Sequence, residues 1–390
     1  MLYFPRPYPD EIIGSFLVRA SRHTGLSFKR LVQHLSGIRG RNYASFLLTP
    51  FVEQLGREAG IDPDELITNH TVFPYVTAFM SLEAAGRLRA LLLSDRSEVR
   101  TNLAPYTQSV TQGVAFRRIC PKCVTEDLGR YGESYWHREH LLPAVYICPL
   151  HQGPLIETAL PVRYGMRRWT YMLPHEVTGT PLTPVPSPEI QLDIAARSAA
   201  LLTTPHIERD WLGQYRALAF QKGYGKEHSF LNGTQMAWDL LAFYGSRFLE
   251  EAGCRLTSGT KWFWPPLMVR VATQGPFSPA KHILLQTYLE NCSADQKLVS
   301  YNLPGPKPID RPSLDADCVQ KMRAVLDESD VNAKYSVTEL LTEVGYWSKF
   351  RHERKGFPET VAFLSKFKRS ERSIRQTRQT DDEHHQGKQK

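Results

Sequence analysis

Residues 120–153 read CPKCVTEDLGRYGESYWHREHLLPAVYICPLHQG, a stretch that opens on a CxxC pair and closes on a CxxH pair. Zinc prefers four tetrahedral ligands from thiolates and imidazoles, and two intervening residues let one tight turn present both ligands of a pair. The spacing predicts one structural Zn²⁺ ion bound by Cys120, Cys123, Cys148 and His151. Because this ligand set is complete, the metal's binding free energy becomes folding free energy.

Two further histidines, His137 and His140, lie between the two pairs. Either could replace a ligand or form a second site, and a histidine-rich segment between zinc turns can also belong to a nuclease. No third carboxylate or asparagine stands at a convincing spacing, so we favour packing or supporting roles for both histidines. The other three cysteines have no partner at ligand spacing and are expected to be buried free thiols.

The positive charge of the chain is concentrated in one block. The 390 residues carry 48 Lys and Arg against 40 Asp and Glu, a net charge of +8. Residues 349–378 hold ten basic and three acidic side chains, whereas residues 1–348 hold 36 basic and 34 acidic ones. Nucleic acid is the leading partner for such a block, and a solvated basic tail is the alternative.

Composition sets the class of protein. Hydrophobic residues make up 42% of the chain and charged residues 23%, which excludes a wholly disordered chain, and the length suggests two or three domains. No run approaches the ~18–20 apolar residues of a membrane helix, and the opening MLYFPRPYPDE lacks the apolar core of a secretory signal. We therefore expect a cytoplasmic protein without a membrane partner.

Hydrophobic periodicity predicts a mainly α protein, because strand signals are weak throughout. Residues 10–36 read as two helices joined at Gly25, which fits a helix-turn-helix as well as a plain helical hairpin. One helix is expected over 232–252. Proline clusters mark boundaries, and the predicted domains are an N-terminal helix-turn-helix region (1–110), a zinc-finger module (111–180), a helical middle domain (181–303) and a basic C-terminal helix-turn-helix with a tail (313–390).

The C-terminal helix-turn-helix is predicted over residues 336–355. Ser336 and Glu339 form a capping box at the first helix, and Gly345 supplies a turn residue tolerant of positive φ. The second helix, 346–355, would enter the major groove, unless it is only a solvated basic helix. The expected DNA contacts are Lys349, Arg351, His352, Arg354 and Lys355, with added phosphate contacts from Lys368, Arg369, Arg372 and Arg375.

Several of these motifs together resemble the TniQ/TnsD family of transposition target-selection proteins. The similarity is dense over 1–155 and recognisable over 200–295. It rests on Cys120-Pro-Lys-Cys123, Tyr131-Gly132-Glu133, Tyr135-Trp136-His137-Arg138, Leu142-Pro143, Cys148-Pro-Leu-His151, Pro5-Arg-Pro-Tyr8-Pro-Asp10-Glu11, Ser15, Thr24-Gly25-Leu26-Ser27, His70-Thr71-Val72-Phe73-Pro74 and Phe277-Ser-Pro279-Ala-Lys281-His282.

The absence of cysteine from residues 152–253 favours the TnsD branch. Some TniQ proteins of CRISPR-associated transposons carry a second cysteine cluster there. The resemblance implies a protein that binds a fixed attachment site on double-stranded DNA and recruits an AAA+ ATPase regulator, in a bacterial cytoplasm and on the nucleoid when bound. Transposase subunits or a CRISPR effector complex stay open as further partners, and a TniQ-type adaptor on a guide-RNA complex is the alternative function.

Enzyme activity is not expected from these residues. The carboxylates are scattered, whereas a metal-dependent nuclease needs them clustered. No Gly-x-x-x-x-Gly-Lys-[Ser/Thr] run is present, so the chain is not itself a P-loop ATPase. A transcription regulator with a zinc module is a further alternative, which residue patterns separate poorly from a target-site selector.

Overall fold

The computed structural model describes residues 3–37, 46–94, 99–162, 171–204, 210–225, 231–256, 263–270, 277–292, 311–327, 335–352 and 354–367. The chain divides into two compact units, Met1–Asn302 and Leu303–Lys390. Both are mainly helical, as predicted. Within the described ranges, no helix combines the length and the apolar character needed to cross a bilayer. The finer boundaries predicted near residues 110 and 180 stay predictions.

The described residues between 13 and 111 form the first seven helices of the first unit. They are α1 (Ile13–Thr24), α2 (Phe28–Ser36), α3 (Val52–Ala59), α4 (Pro63–His70), α5 (Phe73–Thr77), α6 (Leu82–Leu93) and α7 (Val99–Thr111). Polar side chains at their starts explain several of these bounds. Ser27, Asp62 and Ser81 each accept a hydrogen bond from a backbone N–H in the first turn of α2, α4 and α6.

Helix α1 is buried along most of its length. Residues 13–20 are all buried, so Ile13, Phe16 and Leu17 lie in the core together with the residues between them. Gly14 allows α1 to lie close to Phe46, because a Cβ at residue 14 would be 2.3 Å from Cδ2 of Phe46. Gly25 ends the helix with φ 69°, and α2 follows after a short turn.

A small antiparallel sheet follows the first helices. Its strands are β1 (Phe116–Ile119), β2 (Ile156–Pro161) and β3 (Gly179–Pro181), in the order β1-β2-β3. Arg118 lies opposite Glu157 in the register, and Glu157 lies opposite Thr180. Helix α8 (Pro121–Tyr131) begins directly after β1. These strands are too short for an alternating pattern to show in the sequence.

Six further helices complete the described part of the first unit. They are α9 (Pro188–Thr203), α10 (Trp211–Gln221), α11 (Gly233–Tyr244), α12 (Ser246–Glu251), α13 (Trp264–Met268) and α14 (Pro279–Asn291). The single helix expected over 232–252 is two, because Gly245 adopts φ 78° between α11 and α12.

The second unit has a hydrophobic core of its own. Its helices are α15 (Arg311–Asp327), α16 (Val337–Glu343) and α17 (Trp347–His352), followed by a 3-10 turn at Arg354–Gly356 and a helical backbone over 358–367. The buried core consists of Cys318, Val319, Met322, Leu340, Leu341, Tyr346, Phe350, Phe357 and Leu364. The three helices and the helical stretch 358–367 each contribute to this core, whereas the 3-10 turn at Arg354–Gly356 has no buried residue.

The predicted helix-turn-helix lies at α16 and α17. Ser336 and Glu339 form the reciprocal capping box, and Gly345 in the turn has φ 76°. The second helix is shorter than the predicted 346–355, since α17 ends at His352. A 3-10 turn at Arg354–Gly356 follows it, and Pro358 then accounts for the non-helical Phe357, because a proline disfavours helical conformation in the residue before it.

We expect Gly345→Ala to destabilise the second unit by about 1 kcal/mol, because a Cβ is strained in the left-handed region. Gly345→Asn should lose less, since asparagine tolerates this conformation. Thermal unfolding followed by circular dichroism measures both. Gly86→Ala is the matched control: Gly86 lies inside α6 with open space around its Cα, so alanine should stabilise the first unit by up to ~1 kcal/mol. Equal stability of wild type and Gly345→Ala would contradict the turn geometry.

Candidate metal centre and the motif network around it

The CxxC pair sits at the start of helix α8. Cys120 is the N-cap residue, Pro121 occupies the first helical turn, and Cys123 follows within that turn. Proline suits this position because its missing N–H would have no intrahelical partner there. The first turn therefore brings the two thiols to one point, beside a helix N-terminus that favours negative charge.

The CxxH pair forms a tight turn of its own. The backbone N–H of Gln152 donates to the carbonyl of Cys148 at 2.8 Å, and that of Cys148 donates to the carbonyl of Gly153 at 2.9 Å. The N–H of His151 also points at the sulfur of Cys148, 3.4 Å away. These bonds fix the direction in which Cys148 and His151 present their side chains.

The four predicted ligands converge on one point. Nδ1 of His151 lies 3.5, 3.2 and 3.7 Å from the sulfurs of Cys120, Cys123 and Cys148, and the sulfurs of Cys123 and Cys148 are 3.8 Å apart. Bond lengths of about 2.3 Å for Zn–S and 2.0 Å for Zn–N separate tetrahedral ligands by roughly 3.5–3.8 Å. The donor set therefore fits a tetrahedral metal ion.

The protonation of the thiols supports the same conclusion. The pKa of Cys123 is raised, and that of Cys148 is raised to about 12, first because each shares a hydrogen bond with Cys120. Three thiols this close cannot all ionise unaided. A divalent cation would supply the missing positive charge, since the thiolate is the form that binds metal.

Glu126 is a hydrogen-bond partner of His151 that the sequence did not predict. Nε2 of His151 is 2.8 Å from Oε1 of Glu126, so the outer ring nitrogen has a carboxylate partner while Nδ1 faces the sulfurs. Such a carboxylate orients a metal-binding imidazole and fixes its tautomer. Glu126 stands three residues after Cys123 on α8, and that helical spacing is the signal that could have identified it.

The two intervening histidines have different surroundings. Nε2 of His137 is 3.1 Å from Asp127. Burial opposes the charged ring, but this hydrogen bond and the negative charges of Asp127, Asp10 and Glu139 together outweigh burial and raise the pKa of His137. His140 is 1% exposed, and burial lowers the pKa of its ring well below the ordinary value. Its Nε2 is 3.8 Å from the sulfur of Cys123. His137 is thus held away from the metal centre, whereas His140 borders it.

The segment around Trp136 joins the metal module to the N-terminal motif. Arg138 donates to Asp10 at 2.9 Å and to the backbone carbonyls of Thr68 and Thr71. The N–H of Ile12 donates to the carbonyl of Trp136, whose own N–H donates to Oγ of Ser15. One hydrogen-bond network therefore joins Asp10 and Ser15 to Trp136 and Arg138. These residues are far apart in sequence, and all belong to the motifs that resemble the family.

A buried ion-pair network lies beside that junction. Arg19 is 2.6 Å from Glu11 and 2.9 Å from Glu133, and its guanidinium stacks over the ring of Tyr8 at 3.7 Å. Burial raises the pKa of Glu11 to about 7, although Arg19 opposes that shift. Nδ1 of His70 lies 2.9 Å from the carbonyl of Glu11, and burial lowers its pKa to about 4. These residues hold the N-terminal segment in place.

The His282 motif is part of the core. Its ring stacks on Phe79 at 3.8 Å between centroids, and Nδ1 lies 3.1 Å from the hydroxyl of Tyr215. Burial lowers the pKa of His282 to about 3, so the ring is neutral. This arrangement packs α14 against the segment that follows α5.

The predicted DNA-contact residues are only partly described. Arg351, Arg354 and Lys355 are exposed in the second unit, and Arg354 also lies over the ring of Phe350 at 5.9 Å. Lys349 and His352 belong to α17, but their side chains lie outside the described residues. Four further predicted contacts also lie outside the described residues: Lys368, Arg369, Arg372 and Arg375. DNA contact at all nine positions stays a prediction.

Comparison with known proteins agrees with the motifs. Residues 2–155 match the TniQ family model, and residues 194–310 match the model of Tn7-like transposition protein D. Over 164 residues the chain is 33% identical to transposon Tn7 transposition protein TnsD of Escherichia coli, which is 40% of this chain and 31% of that protein. The match thus spans about a third of the relative's length. With both family segments present in order along one chain, the protein belongs to the TniQ/TnsD family.

Proposed function

We propose that this protein selects the insertion site of a Tn7-like transposon, as a DNA-binding adaptor rather than an enzyme. The observation that carries the proposal is the succession of TniQ and Tn7-like transposition protein D segments in one chain. In this proposal, the C-terminal unit binds double-stranded DNA at an attachment site. The first unit recruits an AAA+ ATPase regulator, which in turn engages transposase subunits, in the cytoplasm and on the nucleoid.

Zinc is the ion that best suits the Cys3His centre. Thiolate and imidazole ligands at tetrahedral spacing are the donor set of structural zinc sites. All four ligands come from the protein, so the proposed ion has no open position for chemistry. Its role is to join the start of α8 to the turn at residues 148–151, and thereby to hold the Trp136 segment on which the N-terminal motif packs.

The second unit is the proposed DNA reader because exposed basic side chains lie on its helix-turn-helix. Arg351 and Arg354 carry the planar guanidinium that suits guanine O6 and N7, and Lys355 suits a phosphate. The hydrophobic core below them holds α16 and α17 together. A packed, basic helix-turn-helix is the arrangement that lets a short helix enter the major groove.

The first unit is the proposed protein-binding side. Its residues 1–302 carry 31 basic and 26 acidic side chains, a much weaker excess of positive charge per residue than the ten basic and three acidic side chains of residues 349–378. Leu150, in the middle of the metal-binding turn, is 67% exposed. An exposed apolar side chain on a rigid turn suits a protein partner.

Metal analysis of the purified full-length chain tests the zinc centre. We expect one zinc ion per chain in the wild type and none in Cys123→Ser, because a serine hydroxyl is a poor zinc ligand. Cys254→Ser is the matched control, since Cys254 is also buried and its pKa is raised to about 12 by burial, away from the metal module. A folded Cys123→Ser protein that retains zinc, or a wild type without it, would contradict the centre.

Gel-shift titrations test the DNA reader. Arg351→Ala with Arg354→Ala should weaken binding about tenfold or more, and should reduce the slope of log K against log salt by about 1.8 if both contact phosphates. The control is Arg57→Ala with Arg87→Ala, which removes the same charge from exposed i,i+4 pairs in the first unit. Equal affinities for the two double variants would remove α17 and the 3-10 turn after it from the DNA interface.

A further inference from the structure

His140 is buried against the metal centre without belonging to the four-residue ligand set. The side chain is 2% exposed, and its Nε2 lies 3.8 Å from the sulfur of Cys123 and 3.8 Å from Oε1 of Glu139. Its ring also lies close to Cys148: one donor atom from each of Glu139, His140 and Cys148 falls within 4.8 Å of the others. A nine-tenths buried imidazole therefore points at the Cys123–Cys148 edge of the site.

The separation between His140 and Cys123 is close to that of two ligands of one ion. Tetrahedral zinc holds a sulfur and a nitrogen roughly 3.5 Å apart; Nε2 of His140 lies 3.8 Å from the sulfur of Cys123, and Nδ1 of His151 lies 3.2 Å from it. His140 therefore faces Cys123 from the interior side, slightly farther away than His151. Binding by His140 requires the ion or the ring to shift, because the group of donors that includes Cys120 contains His151 and not His140.

His151 is the more exposed of the two histidines. It lies with the exposed Leu150 on the outer side of the CxxH turn, and we call Leu150–His151, without Cys148, the outer turn. Of the His151 side chain 12% is exposed, and its Nε2 partner Glu126 is 64% exposed. A protein docking on this turn would compete for these surface contacts. The interior His140 has no such competition.

We propose that His140 is a reserve ligand that replaces His151 when the outer turn is displaced, so that the centre keeps its ion while that turn rearranges. This proposal rests on the zinc centre proposed above. The exchange breaks the Zn–Nδ1 bond to His151 and forms a Zn–Nε2 bond to His140. The neutral imidazole replaces a neutral imidazole, so the net charge of the Cys3His centre is unchanged.

Zinc retention by four full-length variants tests the exchange. After dialysis against a zinc-free buffer, His151→Ala and His140→Ala should each keep one zinc ion per chain, and the double variant should keep none. His151→Ala with His137→Ala is the matched control, because His137 is bonded to Asp127 rather than placed against the sulfurs. This control should keep its zinc.

Long-range ¹H–¹⁵N spectra of histidine-labelled protein identify the ligand directly. In His151→Ala, the Nε2 resonance of His140 should move to the position of a metal-bound nitrogen, whereas in the wild type it should not. Zinc in the wild type but none in His151→Ala, or an unmoved His140 resonance, would overturn the reserve role alone. A wild type without zinc would instead overturn the metal centre and the exchange together.

Discussion

The convergence of three thiols and one imidazole on a single point is the constraint on which the first unit depends. Two short-range features produce it: the first turn of α8 presents Cys120 and Cys123, and a separate hydrogen-bonded turn presents Cys148 and His151. Because both of its ends are fixed, the segment between them has fewer accessible conformations. It returns Trp136 and Arg138 to the N-terminal segment.

Because Trp136 and Arg138 pack against the N-terminal segment, family motifs that lie far apart in sequence are neighbours in the fold. Asp10 bonds Arg138, Ser15 accepts the N–H of Trp136, and Glu11 and Glu133 share Arg19. Each of these pairs joins the opening helices to the metal module. A buried charge needs such a partner, because leaving Arg19 or Glu11 alone in the interior would be costly. The motifs therefore describe one interface inside the unit rather than a series of separate sites.

The proposed division of labour follows the distribution of charge. The first unit, which has no basic block comparable to residues 349–378, is organised by buried ion pairs and a candidate metal-binding cluster, which suit a rigid platform for proteins. The second unit has a separate core and displays Arg351, Arg354 and Lys355 on its exposed side. Such a protein can hold DNA with one unit and a regulator with the other.

The sequence predicted the features that depend on neighbouring residues. The cap at Ser336, the turn at Gly345 and the two ligand pairs all follow from local spacing, and the structure contains them. It did not predict partners that only the fold brings together. Glu126 beside His151 is one example, and the paired strands β1 and β2, about forty residues apart, are another. Helix lengths were also overestimated, where Gly245 interrupts a periodic pattern and where a 3-10 turn follows α17.

The central claim is that one chain binds a DNA site and recruits an ATPase to it. Footprinting of the full-length protein on chromosomal fragments, with and without the AAA+ regulator and ATP, tests this claim most directly. We expect the protein alone to protect one discrete DNA site from cleavage, and the footprint to extend next to this site when the regulator is added. Protection that is scattered over all fragments, or a footprint that the regulator leaves unchanged, would contradict it.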